Sequence, residues 1–280
     1  MTPLEFTFLL FACSIVAGLL GSVLGLGGGI IVIPVLTLLL KIDIRFAIGA
    51  SIVSVIATSS GAAAAYVRQH MTNLRVAMFL EIATTTGALT GAFLAGVIDP
   101  KWLFIVFGLI LGYSAFQMLR PIDDALNTYA PPDPLADKLK LHDSYFDVAL
   151  NRQITYRVRH TTIGLALMYV AGCVSGLLGI GSGSLKVPAM DLAMGLPIKV
   201  STATSNFMIG VTGAASAGVY FLRGDINPFI AAPVAIGVLI GAVGGSLLLG
   251  RLKSNSIRKT FVVVLLIISV QMLWKGVHGA

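Results

Sequence analysis

The sequence predicts an all-α polytopic membrane protein built from two inverted-topology repeats, and three observations support this class. The chain of 280 residues is 56% hydrophobic and only 11% charged, unlike a soluble globular domain. Its apolar runs of about 17 to 25 residues match helices that cross a hydrocarbon core of about 30 Å, and they lack the alternation of barrel strands. The chain also matches itself, without gaps, at an offset of 154 residues.

This self-match indicates an internal duplication. Shared apolar composition does not explain why proline, tyrosine and hydroxyl residues coincide as well as glycines. We therefore divide the chain into a first transmembrane repeat at 1–120, a polar linker at 121–160 and a second repeat at 161–280. The positions that coincide include Gly18, Pro34, Ser51, Thr58 and Tyr66, which fall on Gly172, Pro188, Ser205, Thr212 and Tyr220.

Each repeat opens with an apolar segment of about 35 residues that a glycine-rich stretch interrupts. The stretch is Gly25-Leu26-Gly27-Gly28-Gly29 in the first repeat and Gly179-Ile180-Gly181-Ser182-Gly183 in the second. Such a stretch breaks a helix and exposes backbone polar groups that hydrocarbon cannot satisfy. A helix that begins after the break offers free N–H groups to an anion. We predict one substrate-binding site formed by Gly27, Gly28, Gly29, Gly181, Ser182 and Gly183, the alternative being close helix packing.

Three spanning helices follow each break. They are predicted at 46–67, 74–96 and 102–119 in the first repeat, and at 200–222, 228–250 and 257–274 in the second. The spacing of Gly87 with Gly91, and of Gly241 with Gly245, is typical of helix contacts. The linker contains Pro131-Pro132-Asp133-Pro134, and we expect a short surface helix over 135–151.

The distribution of lysine and arginine decides how the broken segments run. Lys186 lies within a segment and is left out of the count. If each segment crosses the membrane once, the other basic residues divide 10 to 8 between the two faces, which is no bias. If each returns to the face it entered from, the division becomes 13 to 5. The positive-inside rule therefore favours inverted repeats, a cytoplasmic linker and both termini outside. The count leaves open whether each segment crosses twice or forms a re-entrant hairpin.

Several polar residues within the apolar segments are further candidates for the site. Lys186 is an intramembrane charge, and such charges are costly and usually functional. It is predicted to bind substrate, although snorkelling or an ion pair with Asp191 remains open. Glu81 is a candidate coupling carboxylate, or a residue that only reaches the cytoplasmic surface. Among the hydroxyls and amides after the breaks, we select Ser51, Ser205 and Asn206 as substrate-binding groups.

The duplicated motif G-x-G-[GS]-G-x4-P resembles that of the TauE/SafE family, also called the 4-toluene sulfonate uptake permease family. The resemblance covers nearly the whole chain apart from the linker, and the second motif differs in having Ser182 where the first has Gly28. It implies transport of sulfite, sulfonates or sulfoacetate across the cytoplasmic membrane, often as export. It does not fix the substrate.

The sequence therefore predicts a secondary transporter, with a passive anion channel, a membrane enzyme or a sensor as alternatives. An intramembrane serine protease needs a histidine base near its serine. This class is disfavoured because all four histidines lie in connections or at an end. We expect no cofactor, no metal site and no nucleic-acid partner. The expected partners are a small anion and the lipid bilayer of the inner membrane, with a homodimer left open.

Overall fold

The computed structural model describes residues 3–119, 133–249, 251–252 and 254–278. The same order of elements occurs before and after the linker: a long helix, a short helix that ends in a π-helical turn, and three long helices. The first series is α1 (Pro3–Leu24), α2 (Gly29–Pro34) with the turn Val35–Leu39, α3 (Ile44–Arg68), α4 (Leu74–Ala95) and α5 (Pro100–Leu119). The linker contains α6 (Pro134–Lys138), β1 (Asp143–Asp147) and β2 (Arg152–Tyr156). The second series is α7 (Thr161–Leu178), α8 (Gly183–Pro188) with the turn Ala189–Ala193, α9 (Ile198–Leu222), α10 (Pro228–Leu249) and α11 (Ser254–His278).

The helices are long and apolar enough for a multi-pass membrane protein. Within the described residues, five of them meet the length and composition of a membrane span: α1 from Glu5 onward, α3, α4, α7 and α10. Polar caps mark several of the helix starts. Asn73, for example, accepts a hydrogen bond from the backbone N–H of Val76 at 3.0 Å and so caps the start of α4.

Small residues bring the most extensively paired helices together. Gly87 and Gly91 of α4 lie against the backbone of α7 at Cys173, so closely that a Cβ atom would collide with it. Gly241 and Gly245 of α10 lie in the same way against α1. These four glycines are helix contacts, as their spacing predicted.

Two pairs of corresponding helices, α3 with α9 and α5 with α11, run antiparallel to each other. In the α5–α11 pair, Gly108 lies against Leu273 and Gly112 lies against Ser269, so the contact moves down one helix as it moves up the other. In the α3–α9 pair, Gly49 near the start of α3 lies against Asp225, just beyond the end of α9. The start of α3 therefore lies beside the end of α9.

The expected surface helix over 135–151 is wrong except for its first turn. Helix α6 ends at Lys138, and β1 then pairs with β2 as an antiparallel hairpin in which Tyr145 lies opposite Ile154. The hairpin is also the departure from a purely helical fold. Its side chains alternate between buried and exposed positions, as a strand with one covered face requires. The part of the predicted linker at 121–132 lies outside the described residues.

The hairpin packs onto the helices instead of lying free on their surface. Tyr145 and Tyr156 are buried in a cluster with Val76 at the start of α4 and Val200 at the start of α9. The cluster also includes Met190 from the π-helical turn after α8. The hairpin therefore covers the face at which the second broken segment ends.

Candidate functional site

Both glycine stretches fold the chain back on itself. Gly25, Gly27 and Gly28 have φ angles of 72°, 76° and 71°, in the left-handed region that favours glycine. Gly28 then lies against Gly21 of α1, which has no side chain in the way. The chain after the break therefore runs back along the helix that it has just left.

The second break has the same backbone path with one serine in it. Gly179 and Gly181 have φ angles of 65° and 74°, and Ser182 has a φ of 55°. Serine in this region costs more than glycine, because its Cβ crowds the neighbouring carbonyl. Ser182 is the N-cap residue of α8, yet its side chain makes no capping hydrogen bond.

The helical pieces after the breaks are too short to cross a bilayer. From Gly29 to Leu39 there are 11 residues, which span about 16 Å at 1.5 Å per residue, about half of a hydrocarbon core. Of the two courses left open by the charge count, this length favours a re-entrant hairpin over two full crossings.

The two breaks meet in the interior, and the predicted glycine residues come together there. Gly27 and Gly181 both lie against the side chains of Ile209 and Val55, which occupy equivalent positions in α9 and α3. Gly183 lies against the carbonyl oxygen of Gly25, so closely that a side chain at this position would displace the first break. All six predicted break residues are buried.

Ser51 and Ser205 hold this junction by reciprocal hydrogen bonds. The Ser51 hydroxyl donates to the carbonyl oxygen of Gly179 at 2.7 Å, and the Ser205 hydroxyl donates to that of Gly25 at 2.9 Å. Each serine thus satisfies a carbonyl that the opposite break leaves without a helical partner. The Asn206 amide donates to the carbonyls of Ser22 and Thr202 at 2.7 and 3.1 Å. In this arrangement the donor hydrogens of these side chains are committed to the backbone.

Beside the second break, the structure joins Lys186 and Glu81 through one threonine. The Lys186 ammonium is fully buried and donates to the hydroxyl of Thr212 at 2.7 Å. The same hydroxyl lies 2.7 Å from Glu81 Oε1, which also accepts from Thr85 at 3.0 Å. The chain of contacts therefore runs from α8 through α9 to α4, and it links a cation and an anion that are 105 residues apart in the sequence.

Several buried polar side-chain atoms, in the second break and in α4 and α9, have no hydrogen-bond partner among the described residues. They include the hydroxyls of Ser182 and Ser184, which flank Gly183, and the second carboxylate oxygen of Glu81. The Asn206 carbonyl oxygen is a further one. Burying such groups unsatisfied is unfavourable, and Ser182 and Ser184 belong to the same short segment as Lys186, so this segment is the candidate for binding a polar ligand.

The first repeat lacks these charges. The positions equivalent to Lys186 and Glu81 are Val32 and Ala235, while Thr58 corresponds to Thr212. The Thr58 hydroxyl donates to the carbonyl of Ser54 within its own helix, at 2.8 Å. The glycine junction is thus nearly symmetric, and the charged contacts lie on one side only.

Sequence reasoning selected Lys186 and Glu81 separately and did not identify Thr212 as the residue between them. The repeat alignment contained the necessary signal. Thr212 and Thr58 coincide, whereas the residues that accompany them differ in charge. Within the described residues there is no group of three or more His, Cys, Asp or Glu side chains that could hold a metal.

The family model described as "Sulfite exporter TauE/SafE" matches residues 10–272, which include both breaks and the three residues of the charged contact. The chain belongs to this TauE/SafE family. The family resemblance inferred from the duplicated glycine motif is therefore confirmed.

Relatives with curated names support the same assignment. The chain is similar to the probable membrane transporter protein YunE of Bacillus subtilis, with 27% identity over 278 residues, covering 97% of this chain and 98% of YunE. It is 26% identical over 265 residues to a probable membrane transporter protein of Xylella fastidiosa strain Temecula1, covering 92% and 93% of the two chains. It is also 26% identical over 220 residues to the probable membrane transporter protein MJ0441 of Methanocaldococcus jannaschii, covering 75% and 72%. No solved structure matches the chain significantly. The TauE/SafE family and these names indicate a membrane transporter and not an enzyme.

Proposed function

We propose that the protein is a secondary transporter, in the export direction, of small sulfur-containing anions such as sulfite, sulfonates or sulfoacetate. The observation that carries the proposal is the fully buried ammonium of Lys186 in α8, a short helix whose N-cap residue Ser182 and whose Ser184 carry buried hydroxyls that have no hydrogen-bond partner among the described residues. An ammonium and hydroxyl donors suit the oxygens of a sulfonate or sulfite group. The family's description as a sulfite exporter points to the same class of anion.

The substrate site in this proposal lies at the junction of the breaks. Gly27 to Gly29 and Gly181 to Gly183 let the backbone of the two repeats approach closely, and Lys186 supplies the charge that attracts an anion. Ser51 and Ser205 contribute by holding the glycine carbonyls of the opposite breaks, and Asn206 contributes by holding the carbonyls of Ser22 and Thr202. Glu81 acts as the coupling carboxylate.

We also propose that the repeats have inverted topology, with both termini outside the inner membrane and the linker in the cytoplasm. The antiparallel packing of α3 with α9 and of α5 with α11 supports this arrangement. In a protein lacking Cys13 and Cys173, single cysteines at Gln69 and at Leu222 test it. The inverted arrangement predicts labelling from opposite faces of the membrane. Labelling of both from the same face would exclude it.

Flux into liposomes that contain the purified protein tests the transport function. We expect saturable uptake of at least one of sulfite, sulfoacetate, taurine and sulfate, stimulated by the same unlabelled anion on the opposite side. Flux that does not saturate would indicate a channel, and no flux of any of the four would contradict the proposal.

Replacing Lys186 by valine, the residue at the equivalent position 32, tests the binding site itself. Loss of a charged hydrogen bond of about 1.5–3 kcal/mol should weaken anion affinity roughly 10- to 150-fold. Protection against thermal unfolding by the transported anion measures this affinity. The control is Lys101→Gln, at an exposed lysine at the start of α5, which should leave the affinity unchanged. Unchanged protection in Lys186→Val would remove Lys186 from the site.

A further inference from the structure

We propose that Glu81 must take up a proton before an anion can bind to Lys186, so that one proton moves with each anion. This inference rests on the proposed transport function and specifies how it is coupled. Its structural basis is the contact Lys186–Thr212–Glu81, in which a single carboxylate is joined to the buried ammonium through one hydroxyl group.

The hydrogen bonds fix the charge state in which this contact is satisfied. The Lys186 ammonium can only donate, so the Thr212 oxygen accepts from it. The single hydroxyl hydrogen of Thr212 is then available to Glu81 Oε1, which accepts it as an ionised carboxylate. With Lys186 charged and Glu81 ionised, the contact has no net charge.

An anion that binds Lys186 changes this balance. Two negative groups would then face one ammonium in an interior where charges are poorly screened, which is unfavourable. A proton on Glu81 leaves one negative group of the anion facing the ammonium, so the contact itself is neutral again. Glu81 can accept this proton at Oε2, the oxygen that is buried and has no partner among the described residues.

Thr212 has a second acceptor to which it can turn once Glu81 is protonated. Its oxygen lies 2.9 Å from the carbonyl oxygen of Met208, one turn earlier in α9. The hydroxyl hydrogen can therefore move from Glu81 to Met208 by rotation about one bond. Both arrangements satisfy the threonine, so proton uptake does not leave it without a partner.

Glu81 is the only carboxylate on α4, α7 and α9, the long helices around this contact. Helix α7 carries no Asp, Glu, Lys or Arg, and α9 carries no carboxylate. The other titratable groups on the elements packed around Glu81 are Arg75 on its own helix, Tyr169 and Cys173 on α7, Asp191 in the turn after α8, and Lys199 and Tyr220 on α9. Arg75 donates to the carbonyl of Lys140 in the linker, and Lys199 is paired with Asp147.

The test uses the full-length protein in liposomes, with labelled sulfoacetate as the probe and with the membrane potential held at zero. One proton per anion predicts that the sulfoacetate ratio across the membrane changes tenfold for each unit of imposed pH gradient. A trapped pH indicator should report acidification when a sulfoacetate gradient is applied. If the unmodified protein accumulates sulfoacetate to the same ratio whatever the pH gradient, the inference is overturned while the transport function stands. Absence of any sulfoacetate flux would contradict both for this anion.

Variants assign the proton to Glu81. Glu81→Gln should abolish the tenfold response and the acidification, yet retain exchange of labelled for unlabelled sulfoacetate, because the amide is neutral at every pH. Thr212→Val should reduce the response below tenfold, whereas Thr212→Ser should preserve it. The matched control is Thr58→Val, the equivalent position beside Val32, which should keep the full response. A tenfold response that survives in Glu81→Gln would overturn the assignment.

Discussion

The ion pair between Lys199 and Asp147 ties the linker hairpin to the start of α9, and its removal should destabilise the protein in a pH-dependent way. The ammonium and the carboxylate are 2.8 Å apart, and both side chains are only 1% exposed. Asp147 Oδ1 also accepts from the backbone N–H groups of Ala149 and Leu150, which form the hairpin turn. We consider the substitution Lys199→Met, which keeps the length of the side chain and removes its charge.

The expected loss follows from the burial of this pair. Removing one partner of a buried ion pair costs about 3–5 kcal/mol, because the other charge stays uncompensated. The two backbone hydrogen bonds keep Asp147 partly satisfied, so we expect the lower end, about 3 kcal/mol. In a chain of this size that corresponds to roughly 6–12 °C in melting temperature. Adding Asp147→Asn should recover much of the loss, since the amide oxygen can still accept from the turn.

The pH dependence has a definite sign. Burial alone raises the pKa of Asp147, but the hydrogen bond and the charge of Lys199 hold it below its ordinary value. The stability from ionised Asp147 is therefore present above the unfolded pKa of about 3.9 and is lost as the pH falls through the lower folded value. Without Lys199, burial is opposed only by the hydrogen bonds from the turn and from Tyr145, and we expect the folded pKa to lie above the unfolded one. The destabilisation of Lys199→Met should thus be largest near pH 8 and smaller near pH 5.

Thermal unfolding of detergent-purified protein at both pH values measures this effect. Comparison of the two single variants with the double variant isolates the pair energy from other contacts of Lys199. An equal loss at pH 5 and pH 8, or additive losses in the double variant, would refute the reasoning and would mean that the hairpin is not held by this charge.

Two further predictions concern the junction of the breaks. Ser51→Ala and Ser205→Ala should each lower stability by a similar amount, about 0.6–1.7 kcal/mol, because each removes the hydrogen bond to a glycine carbonyl of the opposite break. Thermal unfolding measures both, and a loss confined to one serine would contradict the reciprocal role. Gly183→Ala should cost about 1–3 kcal/mol and lower the yield of monodisperse protein, because its methyl group would meet the carbonyl of Gly25, whereas Gly244→Ala, which has open space, should behave like the unmodified protein.

The helices could be predicted from the sequence because bilayer thickness sets their length. The span expected at 74–96 is α4, Leu74–Ala95, and the span expected at 228–250 is α10, Pro228–Leu249. Local residues also fix the ends. Asn73 caps α4 through its own side chain, a pattern that can be read from the sequence without tertiary contacts.

The hairpin could not be found in the same way, because long-range packing determines it. Tyr145 and Tyr156 become buried only when the linker folds onto the ends of α4 and α9. The sequence shows polar residues and prolines there, which we interpreted as a solvated segment. The local signals for a hairpin were the residue types Asp147 and Asn151, which favour turns. In the structure Asp147 accepts from the backbone of the turn, and Asn151 has a φ of 49°.

A duplicated sequence specifies only part of the candidate site. Ser51 and Ser205 make the same bond in mirror order, so comparing the repeats identifies the two serines without a structure, although not the glycine carbonyls that they bind. Lys186 and Glu81 have no such counterparts, and their link through Thr212 depends on α4 of the first repeat meeting α9 of the second. Residues retained in both copies therefore hold the two breaks together. The residues that differ between the copies carry the charge, and it is this asymmetry that gives an otherwise symmetric junction one charged side, the side at which we propose that an anion and a proton bind together.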